Sequence, residues 1–336
     1  MQKHINIPVF IPELACPHQC VFCDQKKISG RLKTPGIDEI KSTINSYLSS
    51  VDKANCRVEI AFFGGNFTGI AQADQKIYLD IAQEYVDKGM VDGIRMSTRP
   101  DYINGEIIKF LSGYTISTIE LGAQSFDENV LKKSGRGHTS ADIINASGLI
   151  KQAGISLGLQ MMTGLPASSP EAEIKTAKKI IELGADNTRI YPALVIKGTK
   201  LEELYNEGKY KPQSLEDAVA ICAKLYKLFE AAGVTILKLG LHPSEGLLSG
   251  CELAAGPFHL SFRELVLTAL WKELLLDIPA DKSKGDSVII EVPPGEINYA
   301  AGYGASNKNM LLQKFAKVKY RINSQLTGRT FNVIYN

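Results

Sequence analysis

Three cysteines fall within eight residues, Cys16-Pro17-His18-Gln19-Cys20-Val21-Phe22-Cys23, in the spacing C-x3-C-x2-C. Thiolates are soft ligands suited to iron–sulfur clusters and to zinc. Three of them in one short loop can close on a single metal centre but cannot complete a four-thiolate cage. Around a [4Fe–4S] cube they leave one iron with no protein ligand, and a small molecule can bind there. The same residues admit two plainer readings: zinc with His18 as a fourth ligand, or a pair of inert core thiols. A disulfide framework is not expected, because no secretory signal precedes the cysteines and 336 residues can build a core of their own.

The elements that must hold this loop alternate along the chain. Strand-like runs are expected at 5–12, 58–63, 93–98, 118–123, 156–162 and 188–194, with a further candidate at 234–241. Helical patterns lie between them at 37–48, 74–86, 105–111, 141–152, 171–183 and 215–231. Strand–helix units joined by right-handed crossovers predict an α/β fold, a partial (β/α)6 TIM-like barrel. In such folds the working residues sit at the C-terminal ends of the strands, and the cysteine loop directly follows the first run. The expected division is a barrel over 1–240, a connecting helical region over 241–285 and a small α+β appendage over 286–336. In the appendage a strand at 287–292 precedes Pro293-Pro294-Gly295, then Gly302-Tyr303-Gly304, a helical stretch near 306–316 and a basic strand at 317–322.

The composition is that of a soluble enzyme, 44% hydrophobic and 22% charged, with mean hydropathy −0.05. No apolar run approaches the roughly 18 residues of a membrane span. Met1 leads almost at once into a strand, so a cytoplasmic protein with no targeting segment and no membrane partner is expected. The net charge of +2 is unevenly spread: Lys308, Lys314, Lys317, Lys319, Arg321 and Arg329 lie in residues 297–336 with no acid among them. The rest of the chain therefore carries −4. A basic terminal module on a mildly acidic body suits a polyanion partner, and equally a solvated helix face.

Polar motifs recur just after the strand-like runs. The second is followed by Phe62-Phe63-Gly64-Gly65-Asn66-Phe67-Thr68, whose glycines let backbone approach a ligand. The third ends in Met96-Ser97-Thr98-Arg99-Pro100. The fourth gives Glu120-Leu121-Gly122-Ala123-Gln124-Ser125, then Ser134-Gly135-Arg136-Gly137-His138-Thr139. The fifth gives Gln160-Met161-Met162-Thr163-Gly164-Leu165-Pro166, and the sixth Ile190-Tyr191-Pro192-Ala193-Leu194-Val195-Ile196-Lys197-Gly198-Thr199. An arginine fork suits a carboxylate or phosphate. The cysteine spacing, with Phe22 before the last cysteine, resembles the radical S-adenosylmethionine (radical-SAM) superfamily. The segment from Glu120 through Pro212 resembles the radical-SAM domain of the Elongator catalytic-subunit family, and the overlap extends over about residues 5–240. Oxygen-independent coproporphyrinogen oxidases share the Gln-Ser, Gly-Arg-x-His and Gly-Leu-Pro landmarks.

The resemblance implies a [4Fe–4S] cluster on Cys16, Cys20 and Cys23, with S-adenosylmethionine chelating the open iron. It implies cofactor contacts from Phe22, from Gly64, Gly65 and Asn66 at the methionine end, and from Ser97 and Gln160 at the ribose. Gln124 matches the family landmark, and Arg136 would pair the methionine carboxylate. Asn66, Ser97 and Gln160 are uncharged where relatives carry acids, so these contacts lose charge pairing. Tyr191 and Lys197, with Tyr210, are the substrate-side candidates beside a scaffold reading of the same residues. The implied activity is reductive cleavage of S-adenosylmethionine to a 5′-deoxyadenosyl radical, acting on tRNA or another RNA, with a reductant such as flavodoxin or ferredoxin. A small-molecule or peptide substrate is the alternative, and a non-catalytic zinc-containing RNA-binding protein is the alternative of a different class. The Elongator family carries an acetyltransferase domain after the radical-SAM part; only about a hundred residues follow here, so acetyl transfer is expected to be absent or supplied by another protein. Cys56, Cys222 and Cys251 stand singly and are expected to be buried thiols. His242, Cys251 and His259 lie close in sequence but match no standard zinc spacing.

Overall fold

The structure is a computed structural model describing residues 3–11, 20–24, 34–52, 55–241, 244–279 and 286–336. It divides into two compact units, Met1–Ser214 with Leu225–Pro257, and Leu215–Lys224 with Phe258–Asn336. The first is built on β1 (Lys3–Phe10), β2 (Cys56–Phe63), β3 (Gly93–Thr98), β4 (Ile116–Gln124), β5 (Ser156–Thr163), β6 (Asn187–Pro192) and β8 (Thr235–Leu239). These pair in the order β1-β2-β3-β4-β5-β6-β8, every pair parallel. The seventh is the further run expected at 234–241, and the sheet is the partial α/β barrel expected from the alternation.

The crossovers are α1 (Ile37–Ser49), α2 (Gln72–Asp87), α3 (Gly105–Leu111), α4 (Glu128–Lys133), α5 (Ser140–Gln152), α6 (Pro170–Glu182), α7 (Lys200–Asn206) and α8 (Leu215–Ala231). Their starts are written locally. Asn104, Thr139, Ser169 and Thr199 each accept a backbone N–H at a helix start, and Thr139 with Asp142 closes a capping box. A two-stranded antiparallel pair, β7 (Val195–Ile196) with β9 (Leu253–Ala255), extends the region beyond β6. Between them in sequence lies α9 (Glu245–Leu248). Among the described residues no helix is long and apolar enough to cross a membrane.

Inside the barrel the strands carry charge as well as apolar residues. Arg95 of β3 is almost fully buried between Glu59 of β2 (3.6 Å) and Glu120 of β4 (3.2 Å). Arg189 of β6 reaches the same Glu120 with Nε (2.5 Å) and Nη2 (3.1 Å), and its guanidinium lies 5.3 Å from the centre of the Phe63 ring. Burial pushes the Glu59 carboxyl up, but a His4 hydrogen bond and the Arg95 charge more than reverse this and bring its pKa to about 2. A depressed carboxylate contributes stability above the unfolded-state value and loses it as pH falls through the folded one. The stability difference between wild type and Glu59→Gln should therefore shrink by about 3 kcal/mol from pH 5 to pH 2. Urea unfolding at a series of pH values measures it, with His4, Arg57 and Arg95 facing the carboxylate in the wild type. A difference that does not change with pH refutes the assignment.

The second unit has a three-stranded sheet in the order β11 (Lys317–Ile322), β10 (Ser287–Val292), β12 (Asn332–Tyr335), with β10 parallel to β11 and antiparallel to β12. Against it pack α10 (Phe262–Leu276), α11 (Ile297–Ala301) and α12 (Ser306–Leu312) around Trp271, Leu275, Val288, Ile290, Leu311 and Phe315. Trp271 fills the centre, and its indole N–H donates to Glu296 at 2.7 Å, so burial leaves no orphaned donor there. The strands expected at 287–292 and 317–322 form with those limits. The helical stretch expected near 306–316 ends at Leu312.

Candidate cofactor site

The end of β1 and the loop after β2 meet at Gly64. Its φ is 130°, and a Cβ there would come within 2.0 Å of the Ile11 carbonyl oxygen. Only glycine permits this approach, which sets the Gly64-Gly65 backbone directly against the strand that leads into the cysteines. Cys16 and His18 lie outside the described residues, as does His242. Cys20, Val21, Phe22 and Cys23 are described and tightly held. Val21 N–H donates to Ser134 O at the end of α4 (3.1 Å), and Leu201 N–H in the first turn of α7 donates to Val21 O (2.7 Å). Cys20 and Phe22 sit in an apolar cluster with Val130, Leu165, Ala193, Val195 and Leu201. The long motif around 190–199 thus does structural work at the cysteine loop, through the helix that Thr199 caps.

Arg136 is the link between the cysteines and the strand ends. Its Nη1 donates to Cys20 Sγ at 3.1 Å and its Nη2 to Gly122 O at 2.7 Å. Its buried Nε has no hydrogen-bond partner among the described residues. Gly122 makes the approach possible: a Cβ there would meet Arg136 Nη2 and Gln124 Nε2, each at 3.2 Å. The β4–β5 register shifts between Gly122 and Gln124, and Gln124 takes φ 66°, unusual for a residue with a side chain. This bulge turns Gln124 so that its Oε1 accepts from Gln160 Nε2 of β5 at 3.2 Å. Arg136 thus ties Cys20 to the end of β4, and Gln124 at the same strand end pairs with Gln160.

The other expected residues are placed as follows. Asn66 is buried, and its Oδ1 accepts from Thr98 Oγ1 (2.9 Å) and Arg99 N–H (3.4 Å), tying the Gly64-Gly65 loop to the end of β3. Ser97 is half-buried on β3. Tyr191 lies beside Arg189; burial raises its phenol pKa and the guanidinium pulls it partly back. Lys197 is exposed on the turn after β7. Tyr210 donates its hydroxyl to Gly164 O at 2.6 Å, and burial raises its pKa. Cys222 is buried, Cys56 is half-buried, and Cys251, expected to be buried, is exposed. Cys251 sits on the polar turn after α9, with Ser249 Oγ at 3.1 Å from its sulfur. His259 belongs to the second unit, its Nδ1 accepting from Ser261 N–H.

Two residues of the site went unremarked beyond their motifs. Arg99, buried, holds Asp101 with a paired contact (3.0 and 2.8 Å) and donates to Arg136 O at 2.6 Å. His138 is buried with Nε2 3.3 Å from Ala123 O. Burial first, and then the charges of Arg136 and Arg99, hold its pKa near 3, so it is neutral. The charge of Arg99 is matched by Asp101, while Arg136 brings positive charge to Cys20. That charge suits thiolate ligands and an anionic group brought to them. The buried Nε of Arg136, with no hydrogen-bond partner among the described residues, suits a carboxylate-bearing ligand.

The chain belongs to the radical SAM superfamily: the superfamily model matches residues 11–180, and a radical SAM C-terminal domain model matches 185–272. It is a radical-SAM enzyme, and the cofactors of that superfamily are a [4Fe–4S] cluster and S-adenosylmethionine. It is 31% identical over 255 residues to the tRNA uridine(34) acetyltransferase of Methanocaldococcus infernus, covering 64% of this chain and 48% of that one. It is 34% identical over 139 residues to human Elongator complex protein 3, covering 40% and 25%. The chain thus spans about half the first relative and a quarter of the second. Among solved structures, the archaeal Elp3 of Methanocaldococcus infernus shares the fold, with TM-score 0.62 at 21% identity, over 81% of this chain and 64% of that one.

Proposed function

We propose that this enzyme modifies tRNA, with its cluster on Cys16, Cys20 and Cys23 and its S-adenosylmethionine across the ends of β2 to β5. The observation that carries the cofactor placement is the Arg136 guanidinium, in contact with Cys20 Sγ and with a buried Nε left to pair a carboxylate. When bound, the reduced cluster and S-adenosylmethionine supply one-electron cleavage of the sulfonium and a 5′-deoxyadenosyl radical that takes a hydrogen atom from the substrate. The protein's share is binding, orientation and exclusion of water. Arg136 pairs the methionine carboxylate, Gly64, Gly65 and Asn66 line the methionine end, and Phe22 closes over the cysteine loop. Ser97, Gln124 and Gln160 hydrogen-bond the nucleoside without charge. Tyr191 and Lys197 face the substrate. A flavodoxin- or ferredoxin-type reductant supplies the electron.

Support for tRNA comes from the relatives named for tRNA uridine(34) chemistry and from the acid-free basic stretch 297–336. Phosphate contacts by lysine and arginine make affinity fall steeply with salt. With anaerobically reconstituted protein and a reductant, 5′-deoxyadenosine formation should rise on adding tRNA. That rise should vanish between about 50 and about 200 mM salt. A rate indifferent to tRNA at every salt concentration removes the RNA substrate.

A further inference from the structure

Arg136 places a cation where little water reaches. The residue is 6% exposed, and its Nη1 lies 3.1 Å from Cys20 Sγ. Cys20 itself packs among Val130, Leu165, Ala193, Val195 and Leu201, with Phe22 in the same apolar cluster. The other buried guanidinium close by, that of Arg99, is matched by Asp101, and His138 is neutral. Two backbone donors of the cysteine loop that could have turned to sulfur are taken elsewhere: Val21 N–H goes to Ser134 O (3.1 Å) and Cys23 N–H to Cys20 O (3.0 Å).

The guanidinium is held at the sulfur by protein contacts. Its Nη2 donates to Gly122 O at 2.7 Å. The Arg136 backbone is fixed at both ends: its N–H donates to Leu131 O at 3.0 Å, and its carbonyl accepts from Arg99 Nη2 at 2.6 Å. The charge therefore stands beside Cys20 before any ligand arrives. A [4Fe–4S] cluster gains one negative charge on reduction. Apolar surroundings disfavour that added charge, whereas positive charge and hydrogen bonds at the ligating sulfurs favour it. Around Cys20 the apolar side chains act in the first direction and Arg136 in the second. A charge at contact distance in a desolvated site acts more strongly than the same charge in water.

We infer that the positive charge of Arg136 raises the reduction potential of the cluster through Cys20, which brings the resting cluster within reach of a flavodoxin- or ferredoxin-type donor. This deepens the cofactor reading and rests on it for the cluster on Cys20. It is separate from the pairing of the methionine carboxylate.

The test is a redox titration of the anaerobically reconstituted full-length protein with no S-adenosylmethionine added. The reduced cluster is followed by electron paramagnetic resonance, and iron and sulfide are measured on every sample. Arg136→Met should make reduction about tenfold less favourable, a drop of about 60 mV for a one-electron couple. Arg136→Lys keeps the charge without the fork and should lie within about threefold of wild type, about 30 mV. Arg136→Gln is a second neutral variant; it should match Arg136→Met and decides the question if the methionine protein holds no cluster. The drop should persist in about 1 M salt, because a buried charge is screened far less than a surface one. Equal potentials for wild type and the neutral variants overturn the inference, and so does an Arg136→Lys potential as low as theirs. If the potential is unchanged while Arg136→Met needs more S-adenosylmethionine, the inference falls and the carboxylate pairing stands. If the potential drops while that requirement is unchanged, the inference stands and the pairing falls.

Discussion

In the Arg136→Met protein, 5′-deoxyadenosine formation should fall by about two orders of magnitude while iron and sulfide content stay at the wild-type level. The guanidinium touches Cys20 but supplies no ligand, so the cysteines can still gather iron. What it takes away is the positive charge opposite a carboxylate. Truncating one partner of a desolvated charged pair costs about 2–5 kcal/mol, because the other is left buried and unmatched. Methionine keeps most of the side-chain volume in the apolar cluster beneath Cys20. The loss should appear as a raised requirement for S-adenosylmethionine, and Arg136→Lys should recover only part of it, since one ammonium cannot reach Sγ, the Gly122 carbonyl and a carboxylate at once. The Cys20→Ala protein separates binding from assembly: it should be colourless after anaerobic reconstitution and form no 5′-deoxyadenosine. Cys251→Ser should match wild type in both, since that thiol is exposed on a distant polar turn of the sequence. If Arg136→Met cleaves S-adenosylmethionine at the wild-type rate and concentration, the carboxylate role assigned to Arg136 is wrong.

The parts of this fold that could be read from the sequence are those whose cause is local. The strands at 93–98, 287–292 and 317–322 and the helices at 105–111 and 215–231 form with the expected limits. Their apolar periodicity and their capping residues lie within a few positions of each other. The cysteine motif was legible for the same reason. What was not legible depends on residues far apart in the chain. Nothing near Arg189 announces Glu120, 69 positions away, and nothing near Val21 announces the α7 amide of Leu201. The bulge at Gly122–Gln124 looks like an ordinary strand end until its partner strand is in place. Thr199 is a further case: in the fold it caps the helix whose first turn holds Val21 of the cysteine loop, 178 positions away.

Glu120→Gln should be the most destabilising single change among the strand residues, at about 3–5 kcal/mol in urea unfolding at neutral pH. The carboxylate is shared by two guanidinium groups: Arg95, of which almost nothing reaches solvent, and Arg189, which is mostly enclosed. Glutamine is nearly isosteric, so the change leaves the packing and removes the charge. Among the described residues Arg95 then keeps Glu59 at 3.6 Å and a contact to Asn6 at 3.3 Å. Arg189 keeps the Phe63 face and Tyr191. Burial works against the Arg189 charge, and Glu120 is what restores it. Two half-compensated cations in a barrel interior are costlier than the intact group, even though the intact group adds little over well-packed apolar residues. The distinction is measurable. Removing one cation with its anion, in Glu120→Gln with Arg189→Met, should be less destabilising than the sum of the single changes by about 1–3 kcal/mol. Strict additivity would mean that the carboxylate acts on each arginine through shape alone. The ionic account of how β3, β4 and β6 are held in register would then have to be abandoned.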